Sequence, residues 1–427
     1  MKNKKQTLNN IFTGVTIGLF AGIVICLFRF LMTLCDTALN KYIFPLIHSG
    51  APLVIFLWAA ALAALACIVH ALICFEPDAR GGGIPHAIKE SEGTSDSRWW
   101  SVLISKLAAA PLCILAGLSL GKTGPAVELG YMAGKGIGSI NRRISKNQQS
   151  LAGYGYHGCA AGLAALFNAP LAGMWFACEK LKRSDGLSSI TTLVSAFTAF
   201  CVSIAVFGYT PLIDCTLPVG NWKLYACCAF LGIITGTLGR FYAKSLSFTT
   251  DKLEKLQLRG PILWVLVFLA AGVAGYFTPE ITGGGWNMLA VMYGNHVTFH
   301  TLALLLAGKY LFSMLSCGSQ LPGGTVFPLL TIGGCLGQLF GMLVNTLIPS
   351  IQIPPAMFIL PGMAGFFSSV LDAPCSGMFL ACEFTCNYRN LPPLLVVGLI
   401  SRLVAKRLPL IQPQTTPLYH TAPRHNK

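Results

Sequence analysis

The sequence predicts an all-α polytopic membrane protein made of two related halves. Three observations carry that expectation: the composition, a ladder of apolar runs, and three landmarks that each occur twice. Of the 427 residues, 54% are hydrophobic and 11% are charged, whereas a soluble domain carries roughly 25% charge.

Apolar runs recur at 11–34, 51–74, 101–120, 188–208, 223–239, 261–277, 299–316 and 392–404. Several fall short of the roughly 20 residues a straight span requires, so broken, tilted or re-entrant helices are expected. The first run is too long for a signal-peptide core and lacks a small-residue cleavage site. It is expected to stay as a transmembrane helix, and Lys2, Lys4 and Lys5 before it place the N-terminus in the cytoplasm by the positive-inside rule.

The net charge of +15 gathers in short polar connections, Arg142, Arg143 and Lys146 in one and Lys180, Lys182 and Arg183 in another. That pattern sets topology and does not call for nucleic acid. Sixteen cysteines include no CxxC, and Cys26, Cys67, Cys113, Cys159, Cys201 and Cys335, single in apolar runs, are expected as small buried apolar residues. No HExxH or GxSxG occurs, and His70, His157, His296 and His300 are scattered. No enzyme, metal site or cofactor is expected. Residues 1–427 read as one transmembrane domain, with a tail at 409–427 too short for a cytoplasmic regulatory module.

Internal similarity decides the architecture. Gly81-Gly82-Gly83 returns 202 positions later as Gly283-Gly284-Gly285. Pro125 with Gly130, Gly134 and Gly138 returns after 203 as Pro328 with Gly333, Gly337 and Gly341. APLAGMWFACE (169–179) returns after 204 as APCSGMFLACE (373–383). The expected repeats run over 9–208 and 221–408. The glycine-rich segment of the first half leads into NRRISK, and its counterpart leads into VNTLIPSIQIPP, which has no basic residue. Those ends belong on opposite sides of the membrane, so the repeats are expected to be inverted.

Proline in a first helical turn sacrifices no hydrogen bond, and glycines four apart make a smooth packing face. Packing does not explain the polar, glycine-rich lead-ins, GKTG before Pro125 and GGTVF before Pro328. A helix that starts inside the bilayer offers free N–H groups and the positive end of its dipole, both suited to an anion. Inverted halves would bring two such starts together near the midplane. Backbone amides then select an anion with no full positive charge in the site, and hold it weakly enough for release. GGGIPH (81–86) offers a third such start.

These segments resemble the CLC chloride channels and proton-coupled chloride exchangers of the prokaryotic type. GGGIP is similar to that family's GSGIP, GKTGP to its GREGP or GKEGP, and GGTVFP to its GxFxP. AAGLAALFNAPLAGMWFACE (160–179) is similar to its first-repeat hallmark, and the likeness covers nearly the whole chain. It implies a homodimer with one pore per subunit and chloride held by helix N-termini. By position, the anion-binding residues are Gly81, Gly82, Gly83, Lys122, Thr123, Gly124, the amides of Val326 and Phe327, and Tyr419. Gly82 stands where the family has serine.

The resemblance also shows what is missing. Thr123 stands at the family's gating glutamate, and Lys180 at the glutamate that relays protons in the exchangers. Threonine donates a hydrogen bond but does not ionise at ordinary pH and so cannot relay a proton, and a cation repels one. Both departures imply anion conduction without obligatory proton counter-transport, as a channel or uniporter. Lys122 is expected to attract anions to the outer vestibule. The alternatives are an exchanger using another carboxylate such as Glu128, or a preference for another anion such as fluoride or nitrate. Glu128 lies about 140° around a helix from Thr123, which favours a hydrogen-bonded structural acid. Glu179 and Glu383, equivalent in the repeats, are expected to cap or pair near helix ends, and Asp372 reads as a loop or cap residue.

Overall fold

The computed structural model describes residues 2–145, 150–181, 189–256, 258, 261–294 and 297–408. Its helices appear twice in the same order. The first series opens with α1 (Lys2–Ala38), followed by α2 (Phe44–His48). Then come α3 (Pro52–Phe75), α4 (Ile84–Glu92), α5 (Trp99–Leu115), α6 (Thr123–Ser145), α7 (Leu151–Phe167), α8 (Pro170–Lys180) and α9 (Ser189–Phe207). A long α10 (Trp222–Lys255) matches α1. The second series is α11 (Ile262–Phe277), α12 (Trp286–Met292), α13 (Phe299–Gly318), α14 (Val326–Leu347), α15 (Ile359–Leu371), α16 (Pro374–Phe384) and α17 (Leu391–Arg407).

Six helical stretches among the described residues are long and apolar enough to cross a bilayer: Gln6–His48, Pro52–Phe75, Ser189–Phe207, Trp222–Lys255, Phe299–Gly318 and Val326–Leu347. The last is mostly buried by protein, as befits a helix facing its neighbours more than lipid. Helices α4, α8, α12 and α16 are far too short to span, at 9, 11, 7 and 11 residues. They are the broken and re-entrant pieces, and the chain can stop mid-membrane only because other protein covers its ends.

Inversion is visible in bonds that equivalent residues exchange. Glu179 at the end of α8 accepts from the N–H groups of Cys375 (3.0 Å) and Ser376 (2.9 Å) at the start of α16. Glu383 at the end of α16 accepts from Leu171 (2.9 Å) and Ala172 (2.8 Å) at the start of α8. Each carboxylate therefore satisfies the orphan donors of the other repeat, where negative charge also suits the helix dipole. Asp372 is a cap as well, left-handed at φ 49° and paired with Arg402 at 2.7 Å.

Glycine sets how closely α6 meets α7. A Cβ on Gly130 or Gly134 would run into the carbonyl oxygen of Gly158 or Tyr154, and one on Gly158 into that of Gly130. The same contact recurs between α14 and α15, where Gly337 faces the Phe358 carbonyl and Gly362 the Gly333 carbonyl. In a membrane no hydrophobic force drives helices together, so close backbone approach and its dispersion contacts must hold them.

One expectation about the cysteines needs correction. Cys26, Cys113, Cys159 and Cys335 are buried, but Cys67 and Cys201 lie exposed on α3 and α9. A thiol is small and weakly polar, so lipid tolerates it as well as the protein interior does.

Candidate anion site

Both glycine-rich lead-ins arrive at one place. Gly121 and Gly324, equivalent residues of the two repeats, exchange a pair of antiparallel backbone hydrogen bonds of 2.6 Å each. This clamp fixes the start of α6 against the start of α14. The third lead-in joins it: Gly81 donates to the Gln320 carbonyl at 3.0 Å and accepts from Gly323. A Cβ on Gly124 would strike the Gly82 carbonyl and lie 3.0 Å from the Gly324 Cα. Glycine is required here because three backbones cross with no room for a side chain. Gly81 and Gly83 add positive φ values of 73° and 84°, matched by Gly283 and Gly285 at 59° and 115°.

Helix α6 begins at Thr123, with Pro125 in its first turn, and α14 begins at Val326, with Pro328 in its first turn. The N-cap residue of α14, Thr325, makes no side-chain capping hydrogen bond. The Thr123 hydroxyl is buried and has no hydrogen-bond partner among the described residues. An orphaned hydroxyl at the positive end of a helix, beside first-turn amides, is a polar group suited to a partner that the described residues do not supply. Val326 and Phe327 are buried, and the Phe327 ring packs 4.7 Å from Trp286 and 6.3 Å from Phe167, centre to centre.

A cavity of about 250 Å³ leads to this junction, lined by Gly121, Lys122, Phe327, Trp286, Thr33 and Asp36 among others. The half-buried Lys122 reaches over Trp286, with its ammonium 5.5 Å from the ring centre. Asp36 of α1, the acid among the described lining residues, was not singled out in the sequence. It lies in a run of ordinary helix, where spacing gives no signal.

The expected site residues Gly81, Gly82, Gly83, Lys122, Thr123, Gly124, Val326 and Phe327 therefore cluster at one three-way junction. Tyr419 lies outside the described residues. Lys180 is remote from the junction, at the end of α8, where its ammonium donates to the Leu371 carbonyl.

Two buried lysines behind the junction were also missed. Lys106 of α5 donates to the carbonyls of Ala79 and Gly81 at 2.8 Å each. Lys309 of α13, its repeat equivalent, donates to those of Ile281 at 2.9 Å and Gly283 at 2.8 Å. Both are fully buried. Their charge is spent on loop carbonyls, holding the glycine turns in shape. The signal was present in the sequence: a lysine within each of two apolar runs, 203 positions apart, and an intramembrane charge marks function by default. Lys106 also pairs with Glu128 at 2.8 Å, and Glu128 Oε1 lies 2.6 Å from His86 Nδ1. Glu128 is thus the hydrogen-bonded structural acid that its helical angle implies. In the second repeat Thr331 replaces it, and among the described residues no carboxylate lies within 4.0 Å of Lys309.

Comparison with known proteins gives a single answer. A family model described as "Voltage gated chloride channel" matches residues 61–406. The H(+)/Cl(-) exchange transporter ClcA of Vibrio campbellii is 30% identical over 436 residues, covering 98% of this chain and 90% of that protein. The ClcA of Salmonella agona is 31% identical, covering 82% and 76%. Among solved structures, a slow cyanobacterial Cl-/H+ antiporter superposes with a TM-score of 0.86 at 25% identity, covering 93% of this chain and 94% of its own. A CLC-type fluoride/proton antiporter superposes at 0.74 with 22% identity and so bears on the fold alone.

Proposed function

The chain belongs to the voltage gated chloride channel family of anion-transporting membrane proteins, and from that premise we propose that it conducts chloride passively, without obligatory proton exchange. One observation carries the reading. At the head of α6, where the resemblance calls for a gating glutamate, stands Thr123, whose buried hydroxyl has no partner among the described residues. A threonine hydroxyl can donate to a passing anion, and it neither competes for the site as an anion nor ferries a proton. Lys180 at the proton-relay position adds to it, because a cation opposes the approach of a proton.

In this reading the anion rests against the first-turn amides of α6 and α14 and the glycine turn 81–83, partly dehydrated and bound by N–H dipoles. Lys122, on the cavity wall, raises the local anion concentration at the outer mouth. The working unit is a homodimer in a bacterial inner membrane with its N-terminus inside. By the resemblance, Tyr419, outside the described residues, would complete the site.

The relatives' names favour a second reading, since they are H(+)/Cl(-) exchangers. One measurement separates the two. Purified protein in liposomes is given a chloride gradient, and external pH is followed. Passive conduction releases chloride with no proton movement beyond that of protein-free vesicles. Uphill proton transport driven by the chloride gradient would establish exchange and end the passive reading. Substituting fluoride or nitrate for chloride in the same vesicles ranks the anions.

A further inference from the structure

A polar chain runs from the glycine turn of the first repeat to the protein surface. Glu128 lies directly behind that turn, so that a Cβ on Gly83 would fall 2.7 Å from its Oε2. Its Oε1 is 2.6 Å from His86 Nδ1, and His86 Nε2 is 3.0 Å from the Ser97 hydroxyl. Ser97 donates to the carboxylate of the half-buried Asp78 at 2.5 Å. The Ser97 N–H donates to Glu90 at 2.6 Å, Glu90 pairs with Lys135 at 2.6 Å, and Lys135 pairs with Asp96 at 2.8 Å. Asp96 is 90% exposed.

His86 is only 10% exposed and Glu128 fully buried. The charged groups facing His86 are Glu128 and Lys106 from α6 and α5, Glu90 on its own helix at 3.7 Å, and Asp78 across Ser97, with Lys135 beyond Glu90. Nothing in passive conduction uses this chain, and ionisable groups inside a membrane protein are costly enough to need a reason.

We propose that the His86–Glu128 pair is a proton-binding site, linked to the surface through Ser97 and Asp78, whose occupancy sets how tightly the glycine turn holds chloride. The inference rests on the reading that chloride binds at that turn. A proton entering the pair converts neutral imidazole beside carboxylate into imidazolium beside carboxylate, adding one positive charge behind Gly81–Gly83. The proton does not cross the membrane. It binds and leaves on one side, so the device is compatible with uncoupled conduction. Linkage makes the effect reciprocal: if the proton tightens chloride, chloride must tighten the proton.

The sign and size follow from electrostatics. A unit charge about 10 Å from the anion, at an effective dielectric constant of about 20, changes binding by roughly tenfold. Asp96 is not the titrating group, because the Lys135 ammonium beside it holds its carboxyl below the usual range.

The test is calorimetric titration of chloride into the purified full-length protein from about pH 5.5 to about pH 9, the range in which a histidine pair exchanges its proton. Buffers of different ionisation enthalpy count the protons taken up. The expected result is a Kd that rises roughly tenfold toward alkaline pH, with fractional proton uptake on binding near the midpoint. His86→Gln should still bind chloride, with a flat pH profile. Asp78→Asn, which removes a facing carboxylate without touching the pair, should move the midpoint to lower pH. Wild-type binding that is tight or weak to the same degree at every pH, with no proton uptake, overturns the inference and leaves the chloride reading intact. A wild-type profile retained in His86→Gln likewise removes the pair as its cause. Absence of chloride binding at any pH overturns the chloride reading itself, and the inference with it.

Discussion

Thr123→Glu tests whether the head of α6 is an anion seat. A glutamate there places a tethered carboxylate among the first-turn amides of α6, beside the three-backbone crossing of Gly82, Gly124 and Gly324. In a partly buried geometry a carboxylate at a helix N-terminus gains up to about 2 kcal/mol. Thr123 is 1% exposed, so the upper end of that range applies. Two kcal/mol in favour of the self-occupied state leaves roughly one protein in thirty open. Chloride efflux from liposomes, read with a chloride electrode, should fall about thirtyfold at neutral pH and recover on acidification, when the carboxyl is neutral and leaves the seat. Thr123→Gln, of the same size without charge, should conduct about equally at both pH values. Equal efflux by Thr123→Glu at neutral and acid pH would refute the assignment of the seat. Block in both variants at both pH values would mean the side chain plugs a space too small for it, and the electrostatic argument would fail.

Other perturbations probe separate parts of the argument. Gly82→Ser, at a glycine outside the positive-φ set, should fold and shift efflux selectivity toward chloride over larger anions; unchanged ratios would remove position 82 from the site. Gly134→Val drives a branched side chain into the Tyr154 carbonyl and should lower the thermal midpoint in detergent sharply, since overpacking costs about 1–3 kcal/mol or more; an unshifted midpoint would mean that α6 and α7 can part freely. Glu383→Ala strips the acceptor from two amides of α8. At about 1–3 kcal/mol for each buried donor left unpaired, it should cost more stability than Glu383→Gln, which keeps one acceptor oxygen. Lys122→Gln should reduce chloride influx mainly at low ionic strength, where its field is least screened; a loss of equal size in high salt would assign it a contact role instead.

Much of this protein is legible in its sequence. The repeat spacing alone paired Gly81 with Gly283, Pro125 with Pro328 and Glu179 with Glu383, because a duplicated chain keeps its turns, breaks and caps at fixed distances. Hydropathy found the spans of α1, α3, α9, α10 and α13, since the bilayer imposes a length on any helix that crosses it, but the runs did not include α14 (Val326–Leu347), the most buried of the spanning helices. Charge at the ends of the glycine-rich helices implied inversion. What the two carboxylates do was only half visible: their equivalence was in the sequence, but each caps the opposite repeat, and no linear spacing encodes a partner about 200 residues away.

The site divides in the same way. Helix starts with proline in the first turn and glycine before it are local properties, so the candidate residues of GKTGP, GGTVFP and GGGIP could be read from their own neighbourhoods. That they meet, with Gly121 hydrogen-bonded to Gly324 and Gly124 against Gly82, is a property of packing between halves. So too is the ion pair of Lys106 with Glu128 and His86, which come from three helices whose separate patterns give no sign of one another. The sequence by itself determined where helices begin, where they stop and which residues correspond, because those depend on backbone chemistry and membrane thickness within a few residues. Tertiary structure alone decided which charges neutralise which, because inside a membrane a charge is stabilised by whatever the fold brings within a few ångströms, wherever that lies along the chain.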